Sequence, residues 1–473
     1  MNWSIRTAAW MVCAIGLGVA TARAGEKDAG PTTAPTAPTT APATRPAPKP
    51  LSDNVKKGLA YLVSTQQPGG AWAQGDESAA MGNTLDKIKA SPNVADTCMA
   101  VMALLRSGST PKGGEYQDQV LKGLRFICEQ VSEADDKDLY VTALRDTRTQ
   151  MKLGVYIDTF MAAQVLAEVK NIMPDEAGTK RVADALAKVV RKIEINQAQD
   201  GRWAGGGWAP VLAQGQAAKA LNVAVQNGAT VSEKTRDAAE QVARADFRAM
   251  AGKGASAGGA GESEAAATVV ASAGTATLGP STSVPGSIGR PVGRGVGGGG
   301  GGDGVELYNR AAQVAGMQAS ANTNGTLRDH YANIAASPTT RPEDRTAAQV
   351  MIQRFDDNDA DLAKAQDALL DRLQDKRFVA GFGSNGGEEF LSYLNIGESL
   401  ILKGGDSWQK WDKAITENLN RIQNGDGSWS GEHCITGRTF CSAAALMVLT
   451  IDRSPVPATP AIIKAKERQA PAR

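Results

Sequence analysis

The stretch Gln197-Ala198-Gln199-Asp200-Gly201-Arg202-Trp203 returns in outline near the end of the chain as Gln423-Asn424-Gly425-Asp426-Gly427-Ser428-Trp429. A degraded third copy runs from Gln66 through Gly69 and Gly70 to Trp72. Each copy follows a segment with the apolar spacing of an amphipathic helix and precedes a run of small and apolar residues. A motif that recurs in one structural context predicts a repeat architecture, in which neighbouring units bury each other's apolar faces.

Two kinds of helix alternate around these copies. The first kind is amphipathic, with apolar residues at i, i+4 and i+7, as at Val55, Leu59 and Leu62. The second kind is small and apolar on every side, as in the aligned segments 96–105 and 158–166, which both begin with Asp-Thr. Helices without a polar face are expected to be buried between neighbours.

Pairing an outer, amphipathic helix with an inner, apolar one gives six predicted helical hairpins, at 53–108, 117–170, 180–227, 232–322, 341–403 and 406–450. Six such pairs can close into a double ring. We therefore predict an all-α fold of the α/α toroid type over 51–452, with a central cavity at the helix ends. A Gly-rich segment, 251–303, interrupts the fourth pair; it lacks a Gly-Lys-Ser/Thr phosphate loop and is predicted to be a disordered insertion.

The N-terminal residues have the features of an export signal. Arg6 precedes an apolar run from Ala8 to Val19, and Ala22-Arg23-Ala24 is a small-x-small cleavage site, so 1–24 is predicted to be a signal peptide. The Pro/Thr/Ala-rich residues 25–50 are predicted to be a disordered spacer, and 453–473 a disordered tail. We expect a secreted, periplasmic or envelope protein without a transmembrane domain after signal removal; an uncleaved signal would instead serve as an anchor.

Composition bears on partners and on the cysteines. The formal net charge of +1 gives no electrostatic reason to expect a nucleic acid. Four cysteines remain after the signal, and an even number permits disulfides in an oxidising compartment. If the first and last hairpins meet, Cys98 is expected close to Cys434 or Cys441, whereas Cys128 is expected to be a free, buried thiol.

The Gln-x-x-Asp-Gly-x-Trp copies followed by small-residue helices resemble the repeats of the prenyltransferase and squalene oxidase superfamily. This superfamily includes squalene and hopene cyclases and the β-subunits of protein prenyltransferases. The resemblance covers most of 51–452, is closest to secreted members without an assigned reaction, and implies a terpenoid cyclase-like α/α toroid.

The repeat residues are interpreted as scaffold. We expect the Gln197 and Gln423 amides to satisfy carbonyl groups at the ends of outer helices, and the Asp-Gly pairs to make turns. The tryptophans are expected to pack between hairpins and to stack on the Gln amides. The residues concerned are Gln197, Asp200, Gly201, Trp203, Gln423, Asp426, Gly427, Trp429 and, in the degraded copy, Trp72.

The catalytic motifs of the similar enzymes are incomplete here. The Asp-x-Asp-Asp motif of the cyclases does not occur, and the acidic run 356–361 is predicted to be a solvated helix face. Protein prenyltransferases hold zinc with Asp-x-Cys and a distant His, so Asp96, Cys98 and His433 form the alternative metal site. Because Asp158 repeats Asp96 without the Cys, we predict no metal or other cofactor and interpret both aspartates as helix caps.

Three residues are candidate catalytic groups. His433 is expected at the cavity mouth as a general base, and Asp96 with Asp158 could serve as acid and base of a carbohydrate-active toroid. We nevertheless predict a binding or scaffold module whose cavity holds an isoprenoid or other lipid. A divergent isoprenoid cyclase or transferase, or a carbohydrate-active toroid, is the alternative. Apolar walls would favour a lipid, a carboxylate pair with exposed aromatics a glycan, and a filled centre a scaffold.

Overall fold

The computed structural model describes residues 46–78, 84–257, 303–374 and 386–455, and this part of the chain is mainly helical. The predicted signal peptide lies outside the described residues, as do 258–302 of the predicted insertion. The all-α prediction is confirmed. The helices are α1 Asp53–Ser64, α2 Asp86–Ala90, α3 Val94–Arg106, α4 Gln117–Glu133, α5 Arg148–Leu153, α6 Ile157–Val169, α7 Glu176–Ile195, α8 Pro210–Gln226, α9 Glu233–Ala257, α10 Asp303–Ala336, α11 Pro342–Gln374, α12 Gly387–Lys403, α13 Gly405–Arg421 and α14 Arg438–Leu449.

Each predicted hairpin interval contains a pair of long helices, in the order α1/α3, α4/α6, α7/α8, α9/α10, α11/α12 and α13/α14. Three boundaries differ from the prediction by four residues or more, and the first is the start of α7, at Glu176 instead of 180. Helix α9 continues to Ala257, into the predicted insertion, and α10 runs to Ala336 instead of ending near 322. A small antiparallel ladder, β1 (Trp72–Ala73) with β2 (Pro92–Asn93), leads into α3, and a 3-10 turn, Ile451–Arg453, follows α14.

The two kinds of helix differ in burial as their sequences require. Helix α4 buries one stripe that includes Val120, Leu124 and Ile127, and its opposite face is exposed to solvent. Helix α6 is buried along nearly its whole length, from Ile157 to Val169. Because small side chains allow close approach on all sides, α6 and its counterparts can lie between neighbours. We keep the names inner helices for α3, α6, α8, α10, α12 and α14, and outer helices for α1, α4, α7, α9, α11 and α13.

The inner helices contact one another in a succession that returns to its start. Helix α3 packs against α6, α6 against α8, α8 against α10, α10 against α12, and α12 against α14; α14 in turn packs against α3. Helix α1 also contacts α14. The first and last hairpins are therefore neighbours, as the sequence predicted.

The glutamine of each motif copy joins two successive outer helices. Gln197 Nε2 donates to the carbonyl oxygen of Gly201 in its own turn and to that of Thr235 at the start of α9. Gln66 and Gln423 make the equivalent pairs of bonds, with the starts of α4 and α1. The predicted role of the amide is thus corrected: it reaches the beginning of the next outer helix, not the carbonyls that end its own.

The tryptophan of each copy, and not the glutamine, bonds a carbonyl group at the end of the preceding outer helix. The indole nitrogens of Trp72, Trp203 and Trp429 each donate to a carbonyl oxygen ten residues earlier, in the last turn of the preceding outer helix, at 2.7, 2.7 and 2.8 Å. Terminal carbonyls lack partners within their own helix, so each ring closes the helix that precedes it. Trp72 and Trp429 are fully buried and Trp203 nearly so.

The glycine of each copy makes a close backbone approach possible. Gly201 and Gly427 have φ of +83° and +90°, a region that costs glycine little. A Cβ added to Gly427 would lie 2.6 Å from the carbonyl oxygen of Lys57 in α1, and one at Gly201 would lie 2.7 Å from that of Ala238 in α9. The Asp200 and Asp426 carboxylates accept the amides two residues on, which confirms their turn role.

Ion pairs join the outer helices α9 and α11, between which no motif copy intervenes. Asp361 of α11 is bound by Arg244 at 2.7 Å and by Arg248 at 2.8 Å, both from α9. Arg328 of α10 binds Asp356 and Asp359 at the exposed side of the same acidic run. The run 356–361 is therefore an ion-paired interface, which corrects the prediction of a merely solvated face.

The two ends of the described chain are fastened to each other. The Lys49 amide donates to Asp452 at 2.6 Å, its Nζ lies 2.6 Å from Asp412, and Arg453 donates to its carbonyl oxygen at 2.6 Å. The predicted disordered spacer includes Lys49 and the predicted disordered tail includes Arg453, whereas in the structure these two residues are hydrogen-bonded to each other. In the described ranges, no helix has both the length and the apolar character that a membrane span requires.

Candidate functional site

The predicted site residues lie where the inner helices begin. Asp96 is the third residue of α3, Asp158 the second of α6, and His433 belongs to the loop that precedes α14. Hydrogen bonds connect these helix starts, for example from the Gly387 amide to the Ile435 carbonyl at 2.8 Å. We call this region the N-terminal end of the inner helices.

Asp158 joins two inner helices. Its Oδ1 accepts the Ala95 amide of α3 at 2.9 Å, and its Oδ2 accepts Gln150 Nε2 at 2.8 Å. The residue at the N-cap of α6 is Tyr156. Asp158 therefore caps the neighbouring helix, which corrects the prediction that it caps its own. Burial raises the pKa of this carboxyl, against the hydrogen bonds from Gln150 and Ala95.

Asp96 is also not the cap of its own helix. The cap of α3 is Asn93, whose Oδ1 accepts the Asp96 amide at 2.8 Å and whose Nδ2 donates to Asp96 Oδ2 at 2.7 Å. Asp96 Oδ1 is buried and accepts no hydrogen bond that meets normal geometry from the described residues. Burial, with the Asp158 charge adding to it, raises the pKa of Asp96 to about 7.

The three residues of the zinc alternative are not brought together. Within the described ranges, no three His, Cys, Asp or Glu side chains are grouped so that they could hold a metal ion. Burial raises the pKa of the Cys98 thiol well above its usual range, which disfavours the thiolate that zinc needs. Cys98, Cys128, Cys434 and Cys441 are all free thiols. Cys98 is thus not bridged to the last hairpin, while Cys128 is free and buried as predicted.

His433 belongs to a cluster with two glutamates at the start of α12. Its Nε2 lies 3.5 Å from Glu389 Oε1, and the hydroxyl of Tyr308, from α10, donates to the same oxygen. Glu389 Oε2 accepts the Gly386 amide at 2.7 Å. The His433 side chain is 29% exposed and that of Glu389 5%, so the histidine stands between solvent and a buried carboxylate. This is the arrangement in which a carboxylate orients a histidine.

Glu388 lies deeper than its neighbour. Its Oε2 accepts the Ile435 amide at 3.1 Å, and its Oε1 is buried without a hydrogen bond from the described residues. Burial, followed by the charge of Glu389, raises the pKa of Glu388 to about 7. A carboxyl that titrates near neutrality can both give and take a proton.

Cys434, beside His433, has the backbone strain but not the electrostatics of a nucleophile. Its φ of +57° is rare for a residue with a side chain. Burial, together with the charge of Glu388, raises the pKa of the thiol to about 11. The thiolate is the reactive form, and this shift favours the thiol form of Cys434 at neutral pH.

The interior between the inner helices is crossed by paired polar groups. Arg106 of α3 donates to both oxygens of Glu168 of α6 at 2.8 and 2.9 Å, and both side chains are only 5% exposed. Gln164 of α6 donates to Glu168 at 2.8 Å and accepts Gln216 of α8 at 2.5 Å. Lys219 of α8 is bonded to Glu398 of α12, two helices along the succession.

Sequence reasoning found His433 but missed Glu388, Glu389 and Tyr308. The signal that could have found the glutamates is Gly386-Gly387-Glu388-Glu389, two carboxylates at the start of an apolar helix, where acids are unusual unless they serve the helix end or a site. Tyr308 carries no such signal, because its partner lies in another hairpin. No protein-family profile, curated protein or solved structure matches this chain.

Proposed function

We propose that this chain is an exported α/α toroid, related to the prenyltransferase and squalene oxidase repeat proteins, that serves as a binding or scaffold module. The cyclic succession of inner-helix contacts supports the toroid, and the motif copy at Gln423, which joins the last outer helix to the first, supports its closure. The motif copies at Gln66, Gln197 and Gln423 make the same bonds, as repeats of one unit should.

The single observation that carries the scaffold proposal is the set of polar pairs between the inner helices. An isoprenoid at the centre would have to separate Lys219 of α8 from Glu398 of α12, two helices along the succession, while the buried Arg106–Glu168 pair joins the neighbouring helices α3 and α6. Removing one partner of a buried ion pair costs about 3–5 kcal/mol, because the other charge stays uncompensated. The apolar ligand expected from the resemblance therefore has less support than a filled centre, and ligand binding is better supported at the N-terminal end of the inner helices.

Native mass spectrometry of the protein purified from its own envelope tests this proposal. We expect the mass of the mature polypeptide without a stoichiometric lipid. Extraction in mild detergent and in detergent-free buffer should give the same mass, which controls for lipid stripped during purification. A stoichiometric isoprenoid or acyl lipid, released only on unfolding, would overturn the scaffold proposal and restore the cavity hypothesis.

A second candidate, an enzyme acting on a glycan, is favoured by the contact of partly exposed His433 with Glu389. In this case His433 would act as the general base and Glu389 would orient it, while Glu388 could hold a proton near neutral pH. Incubation with acidic and neutral polysaccharides would show product release by the wild type that His433→Gln abolishes and Cys434→Ser retains. Equal rates for wild type and His433→Gln would exclude this dyad.

A further inference from the structure

An aromatic and basic patch lies next to the His433 cluster; its Tyr156 also packs against the core, whereas its Trp208 is exposed. It comprises Trp208, Tyr156, Tyr140, Lys152 and Arg145, and we call it the aromatic patch. Trp208 is 60% exposed, the largest apolar side chain in the described part of the chain to be so open. Covering the exposed face of this indole with a ligand would therefore be favourable, because apolar surface would be removed from water.

Two backbone segments hold Trp208 and Lys152 together. The Ala209 amide donates to the Lys152 carbonyl at 2.7 Å. Gly207, with φ of +152°, packs so closely that an added Cβ would lie 2.9 Å from the Gly154 amide nitrogen. The Lys152 ammonium lies 5.9 Å from the centre of the Trp208 ring, within cation–π range. The exposed indole is therefore held on a fixed backbone with a cation beside it.

The tyrosines and Arg145 extend the patch. The rings of Tyr140 and Tyr156 are 4.7 Å apart, and the Arg145 guanidinium lies 3.6 Å from the centre of the Tyr140 ring. Gly205 lies against Tyr156, since a Cβ there would be 3.6 Å from that ring. Tyr156 and Gly205 also line a small solvent-open cleft.

The charges of the patch are positive. The Lys152 ammonium lies over the Trp208 ring, and the Arg145 guanidinium lies over the Tyr140 ring. The nearby Asp138 accepts the Tyr140 amide at 3.0 Å and lies 3.4 Å from Lys192, so its charge is already matched. Lys152 also acts electrostatically on Cys434, which places the patch beside the N-terminal end of the inner helices.

We propose that the aromatic patch binds an acidic polysaccharide. Flat rings that are apolar on their faces and polar at their edges suit the C–H faces of sugar rings, and a guanidinium and an ammonium suit carboxylate groups. A lipid chain would desolvate the Lys152 ammonium and the Arg145 guanidinium without supplying a counter-charge. This inference deepens the proposed function, because it names the ligand class of a binding module.

The test compares three polymers on the full mature chain by isothermal titration calorimetry. Polygalacturonate carries sugar rings and carboxylates, its fully methyl-esterified form carries the rings without the charge, and polyglutamate carries the charge without the rings. We expect polygalacturonate to bind at least about tenfold more tightly than either of the others, since it alone meets both the rings and the cations.

Two variants and two matched controls locate the site. Trp208→Ala and Lys152→Gln should each weaken polygalacturonate binding about tenfold. Val350→Ala, at another exposed apolar side chain, and Lys180→Gln, at an exposed lysine of α7, should not. All four positions are accessible enough that unchanged melting temperatures are expected, so a loss of binding would not reflect unfolding.

Several outcomes would overturn the proposal. They are no binding of any polymer, equal binding of polyglutamate and polygalacturonate, equal binding of the esterified polymer, or full binding by Trp208→Ala. This experiment is separate from that on the scaffold, because a lipid found by mass spectrometry would refute the filled centre and leave the polysaccharide result standing.

Discussion

Gln423 and Asn54, which are 369 positions apart in the sequence, are bound to each other by two reciprocal hydrogen bonds. Gln423 Nε2 donates to the Asn54 carbonyl oxygen at 2.9 Å, and Asn54 Nδ2 donates to Gln423 Oε1 at 2.7 Å. The same glutamine also donates to Gly427 at 2.8 Å, so it fixes its own turn while it holds the first outer helix. The end of the repeat array is thereby joined to its beginning.

The first prediction measures this closure by a double-mutant cycle. Asn54→Ala and Gln423→Ala should show a coupling free energy of about 0.5–1.5 kcal/mol in urea unfolding, because each variant removes one side of the same hydrogen bond. Asn54→Ala combined with Gln197→Ala, in another copy of the motif, should be additive. A coupling of zero between Asn54 and Gln423 would show that the contact is absent in solution.

The second prediction concerns the glycine of the motif copy that begins at Gln423. Gly427→Ala should destabilise the protein by about 1–3 kcal/mol, because φ is +90° and the new Cβ would meet the Lys57 carbonyl at 2.6 Å. Gly425→Ala, two residues earlier, is the matched control, since a Cβ there would meet nothing within 4 Å. Equal midpoints of thermal unfolding for the two variants would contradict a close approach of the turn to α1.

The third prediction tests whether the polar interior is structural. Burial alone would raise the pKa of Glu168, but the charge and hydrogen bonds of Arg106 hold it below its usual range. Arg106→Met should therefore cost about 3–5 kcal/mol, since it leaves a buried carboxylate without its partner. The double variant Arg106→Met/Glu168→Leu should recover much of that loss. If the single variant unfolds at the wild-type urea midpoint, the pair is open to solvent and the centre is not filled.

Most of the fold could be predicted from local sequence patterns, because the features that decide it repeat within short windows. The apolar stripe of α4 and the uniformly apolar α6 are visible over a few turns, and the motif marks where an outer helix ends. Arg106 and Lys219 were not recognised, because a charge on an apolar helix has no visible partner until the helices are placed. The same limit applies to Asp158, whose amide partner Ala95 belongs to another hairpin.

The candidate site was predictable only in part. His433 could be singled out because the chain has two histidines, but Glu389 and Tyr308 come from two other hairpins and meet it only in three dimensions. The misjudged role of the motif glutamine has a similar origin. In the sequence, the unpaired carbonyl groups nearest to the glutamine are those at the end of its own helix. In the folded chain the tryptophan indole donates to one of these carbonyls, and the glutamine amide donates to a carbonyl at the start of the next outer helix.

The last prediction concerns two buried acids and the pH dependence of stability. The pKa of Asp96 and that of Glu388 are each raised to about 7, with burial as the main cause, whereas an unfolded chain has values near 4. Between about pH 4 and pH 7 the folded state therefore binds more protons than the unfolded state. The free energy of unfolding should fall as pH rises through this window, by up to about 1.4 kcal/mol per pH unit for each group, and should level off above pH 7.

The variants Asp96→Asn and Glu388→Gln should each flatten this slope, because a neutral amide cannot be deprotonated. Both should be more stable than the wild type at pH 8, and the double variant should have a shallower slope than either single variant between pH 5 and pH 8, with buried Asp158 left to contribute. Asp53→Asn, at a carboxylate that is 89% exposed, should keep the wild-type slope. Urea unfolding at several pH values provides the measurement. A wild-type slope in the double variant would show that neither carboxyl is held protonated in the interior, and Asp96 Oδ1 and Glu388 Oε1 would then need a buried water as their partner.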